Sequence, residues 1–216
     1  MGHRRLVRTA AATAIVLAAL GGSACGKDKK AAVAATSSTV ATTTTLPATT
    51  VPPTAPPTTV PPPPGQAWTG NGHHYLAVSG SAAISWEAAK AAATQRGGHL
   101  ATVTSTGEND FIHSLIQGDA SLWTVDSHNK AIGPWIGGYQ AAGSAEPGQG
   151  WRWVTGEAFT YTNWAPENPD NYLGNENALN LIGWTGGHDA TWNDLANSGT
   201  NTVGAKCVSY IVEFDR

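Results

Sequence analysis

Hydrophobic residues recur with helical spacing in two neighbouring segments of the chain. The segments "SWEAAKAAATQRGG" (85–98) and "STGENDFIHSLIQG" (105–118) each begin at a serine that can cap a helix and end at glycine. Ser105 and Glu108 also have the spacing of a capping box. The apolar residues of the second segment share one helical face: Phe111, Ile112, Leu115 and Ile116. Both segments are therefore predicted to be α-helices.

Short apolar runs with a different period surround these helices. "HHYLAVS" (73–79) alternates, and after residue 120 aromatic and branched runs are separated by loops rich in Gly and Asn. Such runs predict short strands, here over residues 134–139, 150–156, 158–164 and 207–214. Two early helices followed by strands and long loops indicate an α+β domain. Loops of this length in a folded domain are usually functional.

The N-terminal end of the chain resembles an export signal. Arg4, Arg5 and Arg8 precede an apolar run over residues 9–20, which is too short to span a bilayer comfortably. "Gly22-Ser23-Ala24-Cys25" then resembles the bacterial lipobox, although Gly22 stands where Leu is usual. We expect residues 1–24 to be a signal peptide and Cys25 to carry a lipid that anchors the protein at the cell surface. Ordinary secretion with an unmodified Cys25 is the alternative.

The segment after Cys25 cannot form a core. Residues 31–66 are almost all Thr, Pro, Ala and Val, with no aromatic residue and no charge. Such a composition predicts a disordered, semi-rigid stalk. The expected organisation is therefore a signal peptide (1–24), an anchor and stalk (25–66), and one folded domain (67–216).

Charge and cysteine content narrow the function of the folded domain. Residues 67–216 hold 6 Lys and Arg against 14 Asp and Glu, a net charge of about −8, and all 9 Trp of the chain. This balance argues against nucleic acid and against direct binding to anionic lipid, so we expect membrane contact only through the lipid anchor. Cys207 is the only cysteine of this domain, so no disulfide is possible within it.

Side-chain oxygens are concentrated in two short stretches of the domain. "NPDNYLGNEN" (168–177) and "TWNDLAN" (191–197) contain three carboxylates and several amides but no His, Cys, Lys or Arg. Hard oxygen donors without nitrogen or sulfur argue against zinc and favour Ca²⁺. The candidate ligands are Asn168, Asp170, Glu176, Asn193 and Asp194. A cis bond before Pro169 would suit such a site, whereas a plain Asn-Pro-Asp-Asn turn is the alternative.

These motifs, in this order, resemble the C-type lectin-like family over about residues 70–214. The family's first helix resembles "SWEAAKAAATQRGGHLATVTSTGEND", its Trp-Ile-Gly strand resembles "WIGG" (135–138), and "GWRWVTGEAFTYTNWAP" resembles the stretch before its ligand loop. "NPD" (168–170) stands where the family has Glu-Pro-Asn or Gln-Pro-Asp. Glu176 and "WND" (192–194) match the remaining ligand positions.

The resemblance implies a fold, a cofactor and a ligand. Sugar-binding members hold Ca²⁺ with the five equivalent side chains and the carbonyl of the last Asp, here Asp194, and two vicinal sugar hydroxyls complete the shell. The carboxylates also accept hydrogen bonds from those hydroxyls, and the amides donate to them. The chain departs from the family in its disulfides, because the four expected cysteine positions fall on Ala93, Ala178, Asn197 and Val212. The Gly183–Thr191 loop is also longer than usual.

The order of the Asn168-Pro169-Asp170 triplet indicates a sugar preference. An amide followed by an acid is the order of galactose-type members, whereas mannose-type members have the acid first. Tyr172 lies two residues past Asp170, where an aromatic ring could pack on the apolar face of galactose. Packing of Tyr172 on its own loop is the alternative. The sequence thus predicts carbohydrate contacts from Asn168, Asp170, Tyr172, Glu176 and Asn193.

Two other classes of function compete with sugar binding. The domain could bind a protein, with Ca²⁺ structural or absent, as in family members that have lost the ligands. Asp170 and Glu176 could alternatively form a glycosidase pair, but both are more readily explained as cation ligands, so an enzyme is not expected. The sequence does not determine the oligomeric state.

Overall fold

The computed structural model describes residues 61–200 and 203–215. The predictions for the signal peptide, for Cys25 and for most of the stalk lie outside these residues. Within them, no helix has both the length and the apolar character needed to cross a membrane.

The described residues form a mixed sheet with two helices, which confirms the predicted α+β class. The helices are α1 (Trp86–Gln95) and α2 (Thr106–Ile116). The strands are β1 (Gln66–Ala67), β2 (His74–Ser79), β3 (His99–Leu100), β4 (Thr124–Val125), β5 (Ala131–Gln140), β6 (Trp151–Trp153), β7 (Glu176–Gly183), β8 (Thr191–Ala196) and β9 (Ser209–Phe214).

The sheet joins the two ends of the domain and then extends to a hairpin. Its main path runs β1-β2-β9-β5-β7-β8. Strands β2 and β9 pair antiparallel from His74↔Phe214 to Ser79↔Ser209, so the first and last long strands close on each other. Strand β5 contacts β9 through a parallel bridge at Trp135↔Tyr210 and pairs antiparallel with β7. The β7–β8 hairpin therefore lies at the far edge of the path.

Both helices begin at the predicted caps. The Ser85 Oγ accepts a hydrogen bond from the Ala88 N–H at 3.2 Å, and the Ser105 Oγ accepts one from Glu108 N–H at 3.3 Å. The Glu108 carboxylate does not complete the capping box. It accepts instead from the Thr104 N–H and from the Tyr75 hydroxyl, which ties the start of α2 to strand β2.

Two parts of the predicted strand pattern differ from the structure. Residues 158–164 form no strand apart from an isolated bridge at Trp164↔Trp192, because their aromatic side chains pack onto the core. Strands β7 and β8 were not expected, since their sequences were interpreted only as ligand-bearing loops. The strand predicted from the aromatic residues at 158–164 is therefore wrong, and the polar residues in β7 and β8 kept the sequence pattern from predicting those two strands.

Apolar packing occupies most of the positions where the resemblance placed cysteines. Ala93, Ala178 and Val212 are buried in one hydrophobic cluster, and the Asn197 Oδ1 accepts a hydrogen bond from the Glu87 N–H. Cys207 lies in the same cluster, just before β9, and burial raises the pKa of its thiol. Apolar packing in two buried clusters thus holds this domain, whose only cysteine is Cys207.

Trp192 lies where the core meets the second oxygen-rich stretch. Its side chain is fully buried in β8, and its indole N–H donates to the Asn109 Oδ1 at 2.8 Å. Its ring meets the rings of Trp153 and Trp164 edge to face, with centroids 5.6 and 5.9 Å away. Its backbone N–H donates to the Asn163 carbonyl, and its carbonyl accepts from the Ala165 N–H. One residue thus joins α2, the aromatic core and the segment that leads into the loop after residue 165.

Truncating Trp192 should therefore destabilise the domain strongly. We expect Trp192→Ala to lower the free energy of unfolding by about 3–5 kcal/mol, through loss of transfer energy and formation of a cavity. Trp192→Phe should cost less, although it leaves the Asn109 amide oxygen unpaired. Urea unfolding of the chain carrying Cys25→Ser, which removes the predicted lipid attachment site, measures both changes. The exposed Tyr172→Ala is the control, with an expected change within about 0.5 kcal/mol; equal effects at the two positions would contradict the role of Trp192.

Candidate functional site

The β7–β8 hairpin carries three of the five predicted ligands. Glu176 is the first residue of β7, and Asn193 and Asp194 lie in the middle of β8. Antiparallel pairing places Asn193 opposite Asn180 and Asp194 opposite Leu179, with a register shift just after Glu176. A rigid sheet edge rather than a flexible loop therefore positions these side chains.

The loop before β7 is held against the hairpin by the Asp194 carboxylate. Its Oδ1 accepts from the Asp170 N–H at 3.0 Å, and its Oδ2 accepts from the Asn171 N–H at 2.8 Å. The Asn168–Pro169 peptide bond in this loop is cis. The structure thus brings the Asn-Pro-Asp triplet onto the strand that carries Asp194, although 24 residues separate Asp170 from Asp194.

Three carboxylates meet at this point. Oxygens of Asp170, Glu176 and Asp194 lie within 4.8 Å of one another, and both Glu176 and Asp194 are buried. Burial, together with the charges of Asp194 and Asp170, raises the pKa of Glu176 to about 8. Burial also raises the pKa of Asp194, although the backbone N–H groups of Asn171 and Asp170 oppose this shift. The cluster therefore holds a proton or a cation near neutral pH more favourably than it holds three bare charges.

The N–H groups of the two predicted amide ligands form hydrogen bonds within the protein. The Asn168 Oδ1 is buried without a hydrogen-bond partner among the described residues, while its Nδ2 donates to the Pro166 carbonyl at 3.2 Å. The Asn193 Nδ2 donates to the Asn180 Oδ1 at 3.1 Å and to the Asp194 carbonyl at 2.5 Å. A buried amide oxygen without a donor is costly unless something else satisfies it.

The chemistry of this site fits a calcium ion. Two of its carboxylates are buried close together with a third, and the predicted ligand Asn168 has a buried amide oxygen that finds no partner in the part of the chain that the structure describes. Calcium prefers such oxygens and tolerates irregular geometry. Asp170, Glu176 and Asp194 would hold the ion through carboxylates, with Asn168 and Asn193 contributing amide oxygens. None of these five predicted ligands is a histidine or a cysteine, so the site suits zinc less well than calcium.

Two asparagines support the ligands and were not recognised as site residues from the sequence. The Asn171 Oδ1 accepts from the Glu176 N–H at 3.0 Å, and Asn171 has a left-handed backbone with φ of 48°. Fully buried Asn180 orients the Asn193 amide and donates to the Leu181 carbonyl at 2.7 Å. The sequence offers only a weak signal for Asn180, which is a polar residue within the apolar run "ALNLIG".

Tyr172 lines a cavity of about 540 Å³ together with Asp170, Glu176 and Asn193. Its side chain is 42% exposed, and its backbone N–H lies 3.2 Å from both the Asp170 Oδ1 and the Glu176 Oε2. The predicted sugar-contacting residues Asp170, Tyr172, Glu176 and Asn193 thus line one cavity. Asn168 is not among its lining residues.

The unusually long loop after β7 leaves the site intact because it lies at the opposite end of the hairpin from Glu176. The ring of His188 stacks on Trp123 with centroids 4.6 Å apart, and the His113 Nε2 lies 2.6 Å from the His188 carbonyl. The Asp189 Oδ2 accepts from the Trp184 N–H at 2.9 Å. These contacts fix the loop against the end of α2.

Comparisons with known proteins match this chain to one family model and to several relatives. The family model described as "Lectin C-type domain" matches residues 82–208. Ladderlectin of Oncorhynchus mykiss is 29% identical over 113 residues, which are 52% of this chain and 52% of that protein. The alpha-N-acetylgalactosamine-specific lectin of Patiria pectinifera is 35% identical over 101 residues, 47% of this chain and 52% of the relative.

A third relative is named for structuring ice rather than as a lectin. The type-2 ice-structuring protein of Brachyopsis segaliensis is 27% identical over 128 residues, 59% of this chain and 62% of the relative. The matched region spans about half the length of the two lectins and somewhat more of this third protein.

The raised pKa of Glu176 predicts that calcium binding depends on pH. In the calcium-free domain Glu176 retains its proton up to a pH of about 8, well above its ordinary value of 4.5, whereas a calcium ligand must be ionised. Calcium affinity should therefore fall by up to about tenfold for each pH unit below 8, with release of about one proton per ion bound.

Isothermal titration calorimetry at pH 6, 7 and 8, in buffers of different ionisation enthalpy, measures both the affinity and the proton release. The variant Glu157→Gln is the control, because this exposed acid lies outside the carboxylate cluster. Calcium affinity that is constant between pH 6 and 8 would show that Glu176 is already ionised in the free domain.

Proposed function

This chain belongs to the C-type lectin domain family, and we propose that its folded domain is a calcium-dependent carbohydrate-binding module displayed outside the cell. The cluster of Asp170, Glu176 and Asp194 is the observation that carries the proposal. Two buried acids and a third carboxylate at such short range are costly to ionise together, so a cation would stabilise them, and their donor set suits calcium.

The bound ion would supply a Lewis-acidic centre for the lone pairs of two vicinal sugar hydroxyls. Asp170 and Glu176 face the cavity and would accept hydrogen bonds from those hydroxyls, which are charge-assisted and therefore strong. The Asn193 amide donates to Asn180 and Asp194, so its oxygen is the atom suited to the ion. The Asn168 Oδ1, which accepts no hydrogen bond from the described residues, would gain a partner by binding the ion.

A galactose-type preference is the finer part of the proposal. The order of Asn168 and Asp170, with the amide first, supports it, and so does the partly exposed ring of Tyr172 on the cavity wall. The relative from Patiria pectinifera, named for specificity towards alpha-N-acetylgalactosamine, supports it independently. Galactose presents an apolar face on which the exposed part of the Tyr172 ring can pack.

A protein-binding or other non-sugar role is the second candidate. The ice-structuring relative supports it, because its name records a role other than sugar recognition. The carboxylate cluster favours the calcium-dependent module, since a bound cation would offset the cost of ionising two buried acids beside a third carboxylate. The family comprises lectins and other binding proteins rather than enzymes, so paired glycosidase carboxylates are set aside.

The proposed function predicts that calcium stabilises the domain and is needed for glycan binding. A ligand that binds only the native state at 100 times its Kd adds about 2.7 kcal/mol to the free energy of unfolding. Millimolar calcium should raise the Tm of chelator-treated protein and restore binding to a glycan array. Glu176→Ala and Asp194→Ala should abolish both effects. Glycan binding that persists in chelator would contradict the proposal, and a calcium-induced rise in Tm without glycan binding would favour the protein-binding candidate.

The second prediction concerns the choice of sugar. Galactose and N-acetylgalactosamine should compete better than mannose, and Asn168→Glu combined with Asp170→Asn should shift the preference towards mannose. Tyr172→Ala should weaken galactose binding by about 1 kcal/mol through loss of ring packing, whereas Tyr172→Phe should retain it. Competition titrations measure these orders. Better competition by mannose in the unaltered protein would show that the triplet order is the wrong guide.

The third prediction concerns the anchor. We propose that the mature protein begins at a lipid-modified Cys25 and remains on the outer face of the cell membrane. Cys25→Ser should release the protein from the membrane fraction or block its processing, whereas Cys207→Ala, at the only other cysteine, should not. Intact mass and membrane fractionation test this. An unmodified Cys25 in the purified protein would establish simple secretion instead.

A further inference from the structure

The cavity that holds the calcium-site acids continues well past them. Beyond Asp170, Glu176 and Asn193 its lining passes over Leu195 and the register partners Ile132 and Ile182. It ends against Asp126, His128, Lys130 and Trp184. The carboxylates thus occupy only one end of the space.

The distance along the strand shows how far this second end lies from the ion. Asn193 pairs with Asn180, and Trp184 follows Asn180 by four residues at the end of β7. Four residues along a strand advance about 13 Å, which is longer than one pyranose ring. A single sugar bound at the calcium-site acids would therefore leave the Trp184 end of the cavity uncovered.

Backbone hydrogen bonds order the second end of the cavity. The Asp126 Oδ1 accepts from the backbone N–H groups of His128 and Lys130 at 2.8 and 2.9 Å. The Gly186 N–H donates to the Asn129 carbonyl at 2.8 Å, which joins this turn to the loop that begins at Trp184. Lys130 and Trp184 are consequently held at fixed positions relative to the sheet.

Polar groups at this end suit sugar oxygens. The Lys130 Nζ lies 4.5 Å from the centroid of the Trp184 ring. The Trp184 Nε1 is buried and donates no hydrogen bond to any residue that the structure describes. A buried indole N–H without an acceptor is unfavourable, so an oxygen supplied by a ligand would improve the site.

One of the large apolar side chains that are exposed in the described part of the chain, Tyr172, lines the same cavity. An exposed aromatic ring on the wall of a cavity with polar groups is typical of a surface that a ligand covers.

We propose that the end formed by Lys130 and Trp184 is a second sugar subsite, so that the domain selects glycans of two or more residues. One sugar binds at Asp170, Glu176 and Asn193, and the next lies along Ile182 and reaches Trp184. The Trp184 N–H and the Lys130 ammonium donate to its ring or hydroxyl oxygens. This inference rests on the proposed function, because the first sugar is placed by the calcium site.

Calorimetric titration of the full chain carrying Cys25→Ser, in calcium, tests the subsite. The probes are methyl galactoside and a panel of galactobioses of every linkage, with the corresponding mannose series in parallel. At least one disaccharide should bind about tenfold more tightly than its monosaccharide, a gain of the size that one or two new hydrogen bonds provide. Lys130→Ala should reduce that ratio towards one, and so should Trp184→Phe, which keeps a ring but removes the N–H.

A matched control lies on α1, where the Lys90 Nζ is 5.2 Å from the centroid of the Trp86 ring. Lys90→Ala should leave the ratio unchanged, and all variants should keep the calcium-induced rise in Tm and the monosaccharide affinity. The subsite is overturned if no disaccharide exceeds its monosaccharide, or if Lys130→Ala and Trp184→Phe leave the ratio intact. Failure of every sugar to bind in calcium would overturn the proposed function as well, so the two failures are distinguishable.

Discussion

The packing of Trp192 in strand β8 is the interaction on which both the core and the site depend. Its ring packs in the aromatic cluster, while Asn193, the next residue of the same strand, lines the cavity and Asp194 belongs to the carboxylate cluster. Its backbone also bonds to residues on either side of Trp164, which begins the approach to the Asn-Pro-Asp loop. The geometry of the oxygen cluster is therefore set by the same contacts that make the domain stable, and the loop that carries Asp170 is held against β8 by hydrogen bonds to Asp194.

A second consequence of this arrangement is electrostatic. Holding Asp194 on a buried strand allows it to bind two backbone N–H groups of the loop, but it also places Asp194 beside Glu176 with little water around either. The raised pKa of Glu176 reports this crowding. A cation would relieve it, so the same feature that fixes the loop also supports the proposed calcium site.

The folded domain has this structure without an internal disulfide, because Cys207 is its only cysteine. Ala93, Ala178 and Val212 fill buried positions where related domains are expected to have cysteines, and Cys207 is itself a buried thiol. Closely packed small and branched side chains replace the constraint that a disulfide would impose on the unfolded chain. The hairpin edge that carries Glu176 and Asp194 is accordingly held by packing on both of its faces and by the pinned loop around His188.

The sequence by itself determined the two helices, their Ser85 and Ser105 caps, the α+β class and the set of oxygen donors, because these depend on local spacing and on residue chemistry. It did not determine that Glu176, Asn193 and Asp194 lie on strands, since polar ligands mask the alternation by which a strand is recognised. Nor could it place Asn180 behind Asn193, or Trp184 and Lys130 at the far end of the cavity. Those positions follow from the register of β5, β7 and β8, which long-range pairing sets and no local pattern encodes.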